Sequence, residues 1–334
     1  MNHSYSNSSA LANDSYSREN ASKFEASLDA ETMAIYCCLG LLSLLIVLTN
    51  LFVIFLILRH EFLKTVTNLC LACLAASDIL SGLVVIPLLF LCNLLRIHQI
   101  SGARQACITM DLASRFIAIS TISHLLTVTG ERYLMIVHPM KYSRIVTKGR
   151  VKKLLFGLWV FSFSAVMIQL AWIKVDSPVS EIQANTLRKM EIIYDLCVIF
   201  GIVVFPLVIM AVAYAHVFLI LRRQLKNIER LNNHLIKPKK RQKYTERKAV
   251  AIFSTMIVAF ALCWFAYFLA SLKQDLNFET AEVPQWVDIV LLFMRFGTGL
   301  LNPVLYTFFK EDFKRAIFKR RRDEWSYHTE ATGT

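Results

Sequence analysis

Seven apolar segments, each long enough to cross a lipid bilayer, constrain the fold of this 334-residue chain more than any other feature. A helix needs about 20 mostly apolar residues to span the hydrocarbon core. One such segment would suit the core of a soluble protein, but seven in series, with 56% hydrophobic residues overall, do not. The sequence therefore predicts an all-α membrane protein, a seven-transmembrane helix bundle. Its predicted segments are residues 34–58, 66–93, 105–137, 154–173, 192–221, 249–271 and 286–309.

The positive charge of the chain follows these segments. The formal net charge is +13, and the basic residues cluster after the first, third, fifth and seventh segments. Short cytoplasmic connections of membrane proteins are rich in Lys and Arg. The distribution predicts a multi-pass plasma-membrane protein with an extracellular amino terminus and a cytoplasmic carboxyl terminus. No nucleic-acid partner is expected, because the charge follows the membrane topology rather than one binding surface.

Residues 1–33 predict an extracellular glycosylated tail before the bundle at 34–309. The tail is rich in Ser, Asn and Ala, and it contains no apolar stretch typical of a cleavable signal peptide. All N-glycosylation sequons of the chain fall within it. Their acceptor residues are Asn2, Asn7, Asn13 and Asn20.

The residues after the seventh segment predict a basic amphipathic helix at 310–322, followed by a short cytoplasmic tail at 323–334. Such a helix lies on the membrane surface. Its apolar side carries Phe313, Ile317 and Phe318, and its basic side carries Lys310, Lys314, Arg315 and Lys319. The basic connection between the fifth and sixth segments predicts a solvated loop. Membrane lipids are predicted partners of both regions.

Ionisable residues inside the apolar segments mark candidate functional positions, because a charge at membrane depth is costly. Asp78 lies in the second segment; the alternative is that it only hydrogen-bonds a neighbour. One face of the third segment is small and polar, which indicates that it faces protein or water rather than lipid. That face carries Asp111, Ser114, Arg115, Ala118, Thr121 and Leu125 at helical spacing. The third segment is thus predicted to link an outer pocket to an inner switch.

One motif in each segment resembles the corresponding signature of the rhodopsin-like (class A) G-protein-coupled receptors. The motifs are Asn50, Leu74 with Asp78, Glu131-Arg132-Tyr133, Trp159, Pro206 with Tyr214, Cys263-Trp264, and Asn302-Pro303 with Tyr306. The resemblance covers roughly residues 34–320. It implies a receptor, not an enzyme, that transmits binding of a small extracellular ligand to heterotrimeric G proteins by opening the cytoplasmic ends of its helices. The alternative is a seven-span transporter or channel, against which the sequence shows no internal repeat.

The resemblance also implies roles at the inner ends of the helices. Arg132 would pair with Glu131 and with Glu246 in an ionic lock, whose opening lets two tyrosines swing inward. The implied coupling and switch residues are Glu131, Arg132, Tyr133, Tyr214, Glu246, Asn302, Pro303 and Tyr306.

A polar core in mid-membrane is implied as well. Asp78 would group there with Asn50, Thr121 and Asn302, where family members often bind a sodium ion. Asp78 is the implied ligand of that ion, and no other cofactor is expected. Thr298 departs from the family pattern, because many members have Asn at this position.

Two further departures concern a disulfide and a proline. Cys107 stands where the outer disulfide of the family begins, but residues 174–196 contain no cysteine. Cys107 either stays reduced or pairs with Cys92. Ala266 stands in place of the sixth-helix proline, which predicts a weaker kink there.

The resemblance bears on the ligand too. Aminergic members anchor their ligand with an Asp 18 residues before the motif arginine, and that position here is Ser114. Opsins need a Lys seven residues before the position of Pro303, and that position is Phe296. The chain is therefore expected to be neither a typical biogenic-amine receptor nor an opsin.

The predicted ligand pocket carries charges at the outer ends of the helices. Asp111 and Arg115 are four residues apart and could simply neutralise each other. The other interpretation is that Arg115 or Arg295 binds an anionic or zwitterionic ligand. The predicted pocket residues are Asp111, Ser114, Arg115, Trp264 and Arg295, with Asp195 and Asp288 at a similar depth.

Overall fold

A computed structural model of the chain describes residues 4–173, 181–230, 237–276 and 285–317. Within those ranges every regular element is a helix. Among the described residues, seven helical stretches are long and apolar enough to cross a membrane, which confirms the predicted fold class. They are Ala30–Arg59, Val66–Ile97, Ala103–Val137, Lys148–Ala171, Asn185–Asn227, Glu246–Trp264 and Trp286–Thr307.

The α-helices are numbered here in chain order. They are α1 (Ser4–Arg59), α2 (Val66–Leu80), α3 (Ile86–Ile97), α4 (Ala103–Val137), α5 (Pro139–Ile145), α6 (Lys148–Met167), α7 (Glu181–Cys197), α8 (Phe205–Arg230), α9 (Lys237–Leu276) and α10 (Gln285–Phe309). Residues 311–317 form a last helix, α11. The pairs α2 with α3 and α7 with α8 each form one membrane span, because a π turn joins them without a break.

Helix α4 is the centre of the bundle. It packs against α2, α3, α6, α8 and α9. Of its most apolar stretch, 67% is buried, compared with 22% for the span Lys148–Ala171. Ser114, Ala118 and Thr121 are buried on the face that the sequence predicted to meet protein. Their small side chains let the neighbouring helices approach α4 closely.

Both π turns lie directly before a proline. Ser81–Val85 precedes Pro87, and Val198–Val204 precedes Pro206. Proline lacks an N–H for the helical ladder and its ring clashes with the carbonyl four residues earlier, so a widened turn relieves both problems. Gly82 in the first turn lies against α1, where an added Cβ would be 2.8 Å from a methyl carbon of Val47. The irregularity that Pro87 causes therefore lies in the turn before it.

Three regions predicted to lie outside the apolar segments are helical. Helix α1 begins at Ser4 and includes most of the predicted tail, because no Pro or Gly occurs before Gly40 to interrupt it. Helix α7 begins at Glu181 rather than at residue 192. Helix α8 continues to Arg230 and α9 begins at Lys237, so the predicted loop between the fifth and sixth segments is largely helix. Lys, Arg, Gln and Leu are good helix formers, and they continue each helix beyond its apolar part.

Some predictions fall outside the described part of the chain. The structure describes neither residues 1–3 nor the side chains of residues 4–29, which together hold all four predicted glycosylation sites. It also leaves out residues 318–322 of the predicted amphipathic helix and the tail at 323–334. Glycosylation and the short tail therefore stay predictions.

A disulfide joins Cys92 in α3 to Cys107 in α4. Of the two alternatives that the sequence left open for Cys107, the structure contains the pairing with Cys92. The connection between the two helices turns at Gly102, whose φ of 93° lies in the left-handed region that favours glycine. We call the end of the bundle with this disulfide the Asp111 end, and the end with Glu131-Arg132-Tyr133 the Arg132 end.

Candidate functional site

A cavity of about 740 Å³ opens at the Asp111 end. Helices α3, α4 and α7 line it, together with the residues that follow α6. Its charged lining residues are Arg96, Arg104, Asp111, Arg115, Arg188 and Glu191. Asp111 and Arg115, two of the predicted pocket residues, thus share this cavity. The other three, Ser114, Trp264 and Arg295, are buried and are not among the described lining residues.

Arg115 is the centre of a buried ion-pair cluster. Its Nε lies 2.7 Å from Oδ2 of Asp111, and its Nη1 contacts Oδ1 of the buried Asp195. A third carboxylate, that of Glu191, lies 3.8 Å from Nη2. This geometry corresponds to the interpretation in which Asp111 neutralises Arg115, with Asp195 as a second partner. Asp288, which the sequence placed at a similar depth, is exposed and is not part of this cluster.

Glu191 is a site residue that the apolar pattern of the sequence did not reveal. The indole N–H of Trp172 and the amide of Gln169 both donate hydrogen bonds to its carboxylate. Glu191 and Asp195 are four residues apart and therefore share one face of α7. Glu191 was missed because the fifth segment was predicted to begin at residue 192. A helix begun one turn earlier would have placed both acids on one face.

Arg295 in α10 is held in a different way. Its Nη2 donates a hydrogen bond to Oγ of Ser114 in α4. Its guanidinium carbon lies 4.1 Å from the ring centroid of Tyr267 and 5.4 Å from that of Trp264. In the described part of the chain no carboxylate lies within ion-pair distance of Arg295, and its Nε has no hydrogen-bond partner. Aromatic rings thus stabilise a buried cation that keeps unused hydrogen-bonding capacity.

Tyr267 connects the two arginine sites. Its hydroxyl donates to Oδ1 of Asp111 at 2.6 Å, and its ring packs against the guanidinium of Arg295. A continuous set of contacts therefore runs from Asp111 at the cavity through Tyr267 and Arg295 to Trp264. No motif in the sequence marks Tyr267 as a site residue. The available signal was its position three residues after Trp264, on the same face of α9.

Three of the predicted polar-core residues meet in the middle of the bundle. Nδ2 of Asn302 donates to Oδ2 of Asp78 at 3.0 Å, and Nδ2 of Asn50 donates to the carbonyl of Gly299 at 2.9 Å. A Cβ added at Gly299 would lie 3.5 Å from Oδ1 of Asp78, so α10 packs closely on α2 here. Among the described residues, Oδ1 of Asn50 and Oγ1 of Thr121 are buried without a hydrogen-bond partner. The meeting point of Asp78, Asn302 and Asn50 therefore offers one carboxylate and one unsatisfied amide oxygen, and no described contact joins Thr121 to it.

Glu131 organises the Arg132 end. Its Oε1 accepts hydrogen bonds from Thr67 at 2.9 Å and from Tyr142 at 2.7 Å, and its Oε2 lies 3.4 Å from Nε of Arg132. Burial raises the pKa of Tyr142, and the hydrogen bond to Glu131 raises it as well. The tyrosine is therefore a stable donor. Thr67 and Tyr142 were not predicted, because nothing local in the sequence connects α2 and α5 to this glutamate.

The predicted ionic lock between Arg132 and Glu246 is not present among the described contacts of Arg132. The guanidinium carbon of Arg132 lies instead 5.3 Å from the ring centroid of Phe253. Phe253 follows Glu246 by about two helical turns, so α9 presents an aromatic ring rather than a carboxylate at the level of Arg132. In this structure Glu131 is the acid that pairs with Arg132.

The remaining predicted switch residues lie on three helices. Tyr133 of α4 shares a hydrogen bond of 3.1 Å with Nδ1 of His216 in α8. The hydroxyls of Tyr214 in α8 and Tyr306 in α10 are buried and have no hydrogen-bond partner in the described ranges. Pro303 lies inside α10, as the motif predicts. Buried polar groups without partners are rare in native proteins, so these two hydroxyls are candidates for new hydrogen bonds if this end of the bundle rearranges.

Lys310 is buried, contrary to its predicted place on the basic side of the amphipathic helix. Its Nζ donates to Oδ1 of Asn68 in α2 and lies 3.8 Å from Oδ2 of Asp312. Burial and, less strongly, the charge of Arg132 lower the pKa of Lys310 to about 7. Periodicity did not reveal this burial, because the covering residue comes from α2. Phe313 is buried as predicted for the apolar side of α11.

Fold and motifs together define the class of protein. A sequence model of the family described as "7 transmembrane receptor (rhodopsin family)" matches residues 49–306, which is more than half of the chain. The chain therefore belongs to the rhodopsin family of seven-transmembrane receptors. It is a G-protein-coupled receptor and not an enzyme, which sets aside the alternative of a transporter or channel.

Several known receptors are similar to this chain over most of its length. The histamine H2 receptor of Homo sapiens is 28% identical over 302 residues, which cover 88% of this chain and 81% of that receptor. The adenosine receptor A2b of Gallus gallus is 26% identical, with 84% and 85% covered. The octopamine receptor beta-2R of Chilo suppressalis is 25% identical, with 92% and 84% covered.

Proposed function

We propose that this receptor lies in the plasma membrane with its Asp111 end outside the cell, binds a small ligand there, and activates a heterotrimeric G protein at its Arg132 end. The relatives support a small ligand, because they are named for histamine, adenosine and octopamine. The basic residues after the first, third, fifth and seventh spans support the orientation. Membrane lipids are proposed to bind at these basic residues, and nucleic acid is not a proposed partner.

The ligand of this proposal carries an anionic group. Arg96 and Arg104 line the cavity, and in the described part of the chain neither has a carboxylate within ion-pair distance. This is the observation that carries the proposal, because a guanidinium group without an acidic partner forms charge-assisted hydrogen bonds with an anion. The residues expected to bind the anionic group of the ligand therefore differ from those that the sequence predicted. Arg115 is already paired with Asp111 and Asp195, so the two arginines of the cavity wall replace it as first contacts.

The pairing of Ser114 with Arg295 argues against an amine anchored in the usual place. Amine receptors of this family have an aspartate at the position of Ser114. Here the hydroxyl of Ser114 accepts a hydrogen bond from Arg295, so a guanidinium already lies next to that position. A ligand ammonium there would meet a like charge instead of a carboxylate. The receptor is therefore proposed not to be a typical biogenic-amine receptor, although two of its relatives are named for amines.

An amine bound closer to the cavity mouth is the second candidate. Asp111 and Glu191 line the cavity, and together with the buried Asp195 they outnumber Arg115. A ligand cation could pair with either of the two lining acids. The two candidates differ in which lining charge the ligand requires, so substitutions that remove single charges separate them.

A nucleotide-exchange assay tests the proposal. The receptor is placed in lipid nanodiscs with a G protein, and panels of small carboxylates, zwitterions and amines are screened for stimulated GDP release. Arg104→Gln is expected to lower the potency of an active anion at least about tenfold, roughly 1.4 kcal/mol. Arg104→Lys is the matched control, because it keeps the charge. Equal potency of wild type and Arg104→Gln would remove the anionic contact at Arg104, and selective stimulation by amines that needs Glu191 would favour the second candidate.

A sodium ion in the polar core is part of the same proposal. Asp78, Asn50 and Thr121 would supply its oxygen ligands, since hard cations prefer oxygen and two of these oxygens have no other partner among the described residues. The bound ion would neutralise the buried carboxylate. Within the described ranges no cluster of three or more His, Cys, Asp or Glu residues could hold a different metal.

A further inference from the structure

An apolar groove of about 500 Å³ runs between α8 and α9. The groove exists because three of its lining residues have small side chains, namely Ala211 and Ala215 on α8 and Ala251 on α9. The larger side chains of Tyr214 and Phe218 form part of its walls. From Ala211 to Phe218 the groove follows α8 for about two turns, roughly 10 Å. It is separate from the cavity at the Asp111 end, with which it shares no lining residue.

The position of the groove limits what can occupy it. It lies within the spans Asn185–Asn227 and Glu246–Trp264, so it is at membrane depth. Five of its lining residues are exposed on the surface of the bundle, namely Ala211, Ala215, Phe218, Ala251 and Val258. A surface at this depth meets hydrocarbon rather than water. The occupant is therefore a lipid chain rather than a soluble molecule.

Basic residues lie at one end of the groove. The guanidinium carbon of Arg247 on α9 lies 5.3 Å from the ring centroid of Phe218. Arg222 and Arg223, one turn further along α8, are exposed. An apolar groove that ends at arginines matches a phospholipid, whose acyl chain is apolar and whose phosphate pairs well with guanidinium groups. A sterol would leave these charges without a partner.

We propose that the groove binds an acyl chain of an anionic phospholipid, with its headgroup at Arg247 and the neighbouring arginines of α8. The inference relies on the proposed orientation, in which this end of the bundle faces the cytoplasmic leaflet, where anionic lipids are concentrated. Tyr214 forms one wall of the groove and is one of the implied switch residues. A chain bound between α8 and α9 therefore influences how far these two helices separate during coupling.

Lipid binding is measured directly by native mass spectrometry of the purified receptor, titrated with phosphatidylserine or phosphatidylcholine. Ala251→Leu fills the groove and Arg247→Gln removes the charge at its end. Each is expected to weaken retention of phosphatidylserine at least about fivefold. Val212→Leu is the control for added volume, because Val212 is exposed on α8 outside the groove. Arg315→Gln is the control for charge, because Arg315 also packs on a phenylalanine, Phe62, at the same end of the bundle.

The outcomes separate the proposal from its alternatives. If phosphatidylserine binding falls with Arg247→Gln but not with Ala251→Leu, the lipid is held only by surface charge, and the groove is not its binding site. Equal retention of phosphatidylcholine, or displacement of phosphatidylserine by cholesterol, would overturn the anionic lipid. If Ala251→Leu does not fold, Ala215→Leu from the opposite wall replaces it. Because the readout is bound lipid, a receptor that binds phosphatidylserine but activates no G protein would contradict the proposed function and leave this site standing.

Discussion

The guanidinium of Arg295 donates a hydrogen bond to the hydroxyl of Ser114, which joins α10 to α4 about one turn deeper than Asp111. The same guanidinium packs on Tyr267, whose hydroxyl binds Asp111 at the cavity. A displacement of Asp111 by a ligand therefore reaches Arg295 through one aromatic ring. Trp264, 5.4 Å from Arg295, is the next residue along this route. Coupling is carried by such packed contacts when they have two discrete arrangements.

Replacement of Arg295 tests this route. Arg295→Gln is expected to lower agonist potency at least about tenfold at equal surface expression, roughly 1.4 kcal/mol, because the link between Tyr267 and Trp264 loses its cation. Ser114→Ala removes the hydrogen bond but keeps the cation, so its effect should be smaller. Dose–response curves of nucleotide exchange measure both. Unchanged potency in Arg295→Gln would show that neither ligand binding nor transmission uses this residue.

The buried pair of Arg115 and Asp195 predicts a stability effect. Arg115→Gln leaves a fully buried carboxylate without its cation, which typically costs about 3–5 kcal/mol, and the variant should express poorly. The double variant Arg115→Gln/Asp195→Asn should recover expression, because no buried charge is left alone. Arg115→Gln/Asp111→Asn should recover less, since Asp111 is partly exposed and tolerates the loss better. Surface expression and thermal unfolding measure the recovery of each variant. Equal recovery by both double variants would contradict the assignment of Asp195 as the main buried partner of Arg115.

The hydrogen bond from Tyr142 to Glu131 predicts a change in basal signalling. Tyr142→Phe removes a bond to a charged acceptor, worth about 1.5–3 kcal/mol. If this bond holds Glu131 and Arg132 in the inactive arrangement, ligand-independent nucleotide exchange should rise several-fold. Tyr244→Phe is the control, because Tyr244 is an exposed tyrosine of α9. A larger increase with Glu246→Ala than with Tyr142→Phe would restore the lock that the sequence predicted.

The buried amine of Lys310 predicts a dependence of stability on pH. Its pKa is lowered to about 7 in the folded receptor, whereas an unfolded lysine keeps a pKa near 10.4. Between these values the unfolded state binds a proton that the folded state has released, so the free energy of unfolding rises with pH. Below about pH 7 both states are protonated and this contribution is constant.

Thermal unfolding from pH 6.5 to pH 10 measures this effect. Lys310→Met should flatten the rise, because it removes the titrating group and keeps a long apolar side chain. Lys314→Met on the same helix is the control and should keep the wild-type slope. Parallel curves for wild type and Lys310→Met would show that Lys310 does not titrate in this range.

The polar core predicts an effect of sodium. Agonist affinity should fall as sodium replaces a bulky organic cation at constant ionic strength, because sodium at Asp78 would favour the inactive arrangement. Asp78→Asn should abolish this dependence and leave the receptor folded, since an amide can still bond Asn302. Agonist affinity that ignores sodium in the wild type would exclude the ion from this core.

Much of the fold could be predicted from the sequence, because the signals were local. Apolar length defined seven spans, and small side chains on one face of the third span indicated the central helix, α4. The family motif also identified Asp78 and Asn302, which meet in the structure at 3.0 Å. Helix ends were less certain, because Lys, Arg and Gln continue a helix as readily as they form a loop. The late start predicted for the fifth span hid Glu191 for this reason.

The sequence by itself determined that this chain crosses the membrane seven times and belongs to the receptor class, because hydrophobicity and motif spacing are properties of each segment alone. Only the tertiary structure decided which charges meet. Arg115 pairs with Asp195 across 80 residues of sequence, and Lys310 reaches Asn68 across 242. Such pairings depend on which faces of different helices pack together, and no single helix carries that information.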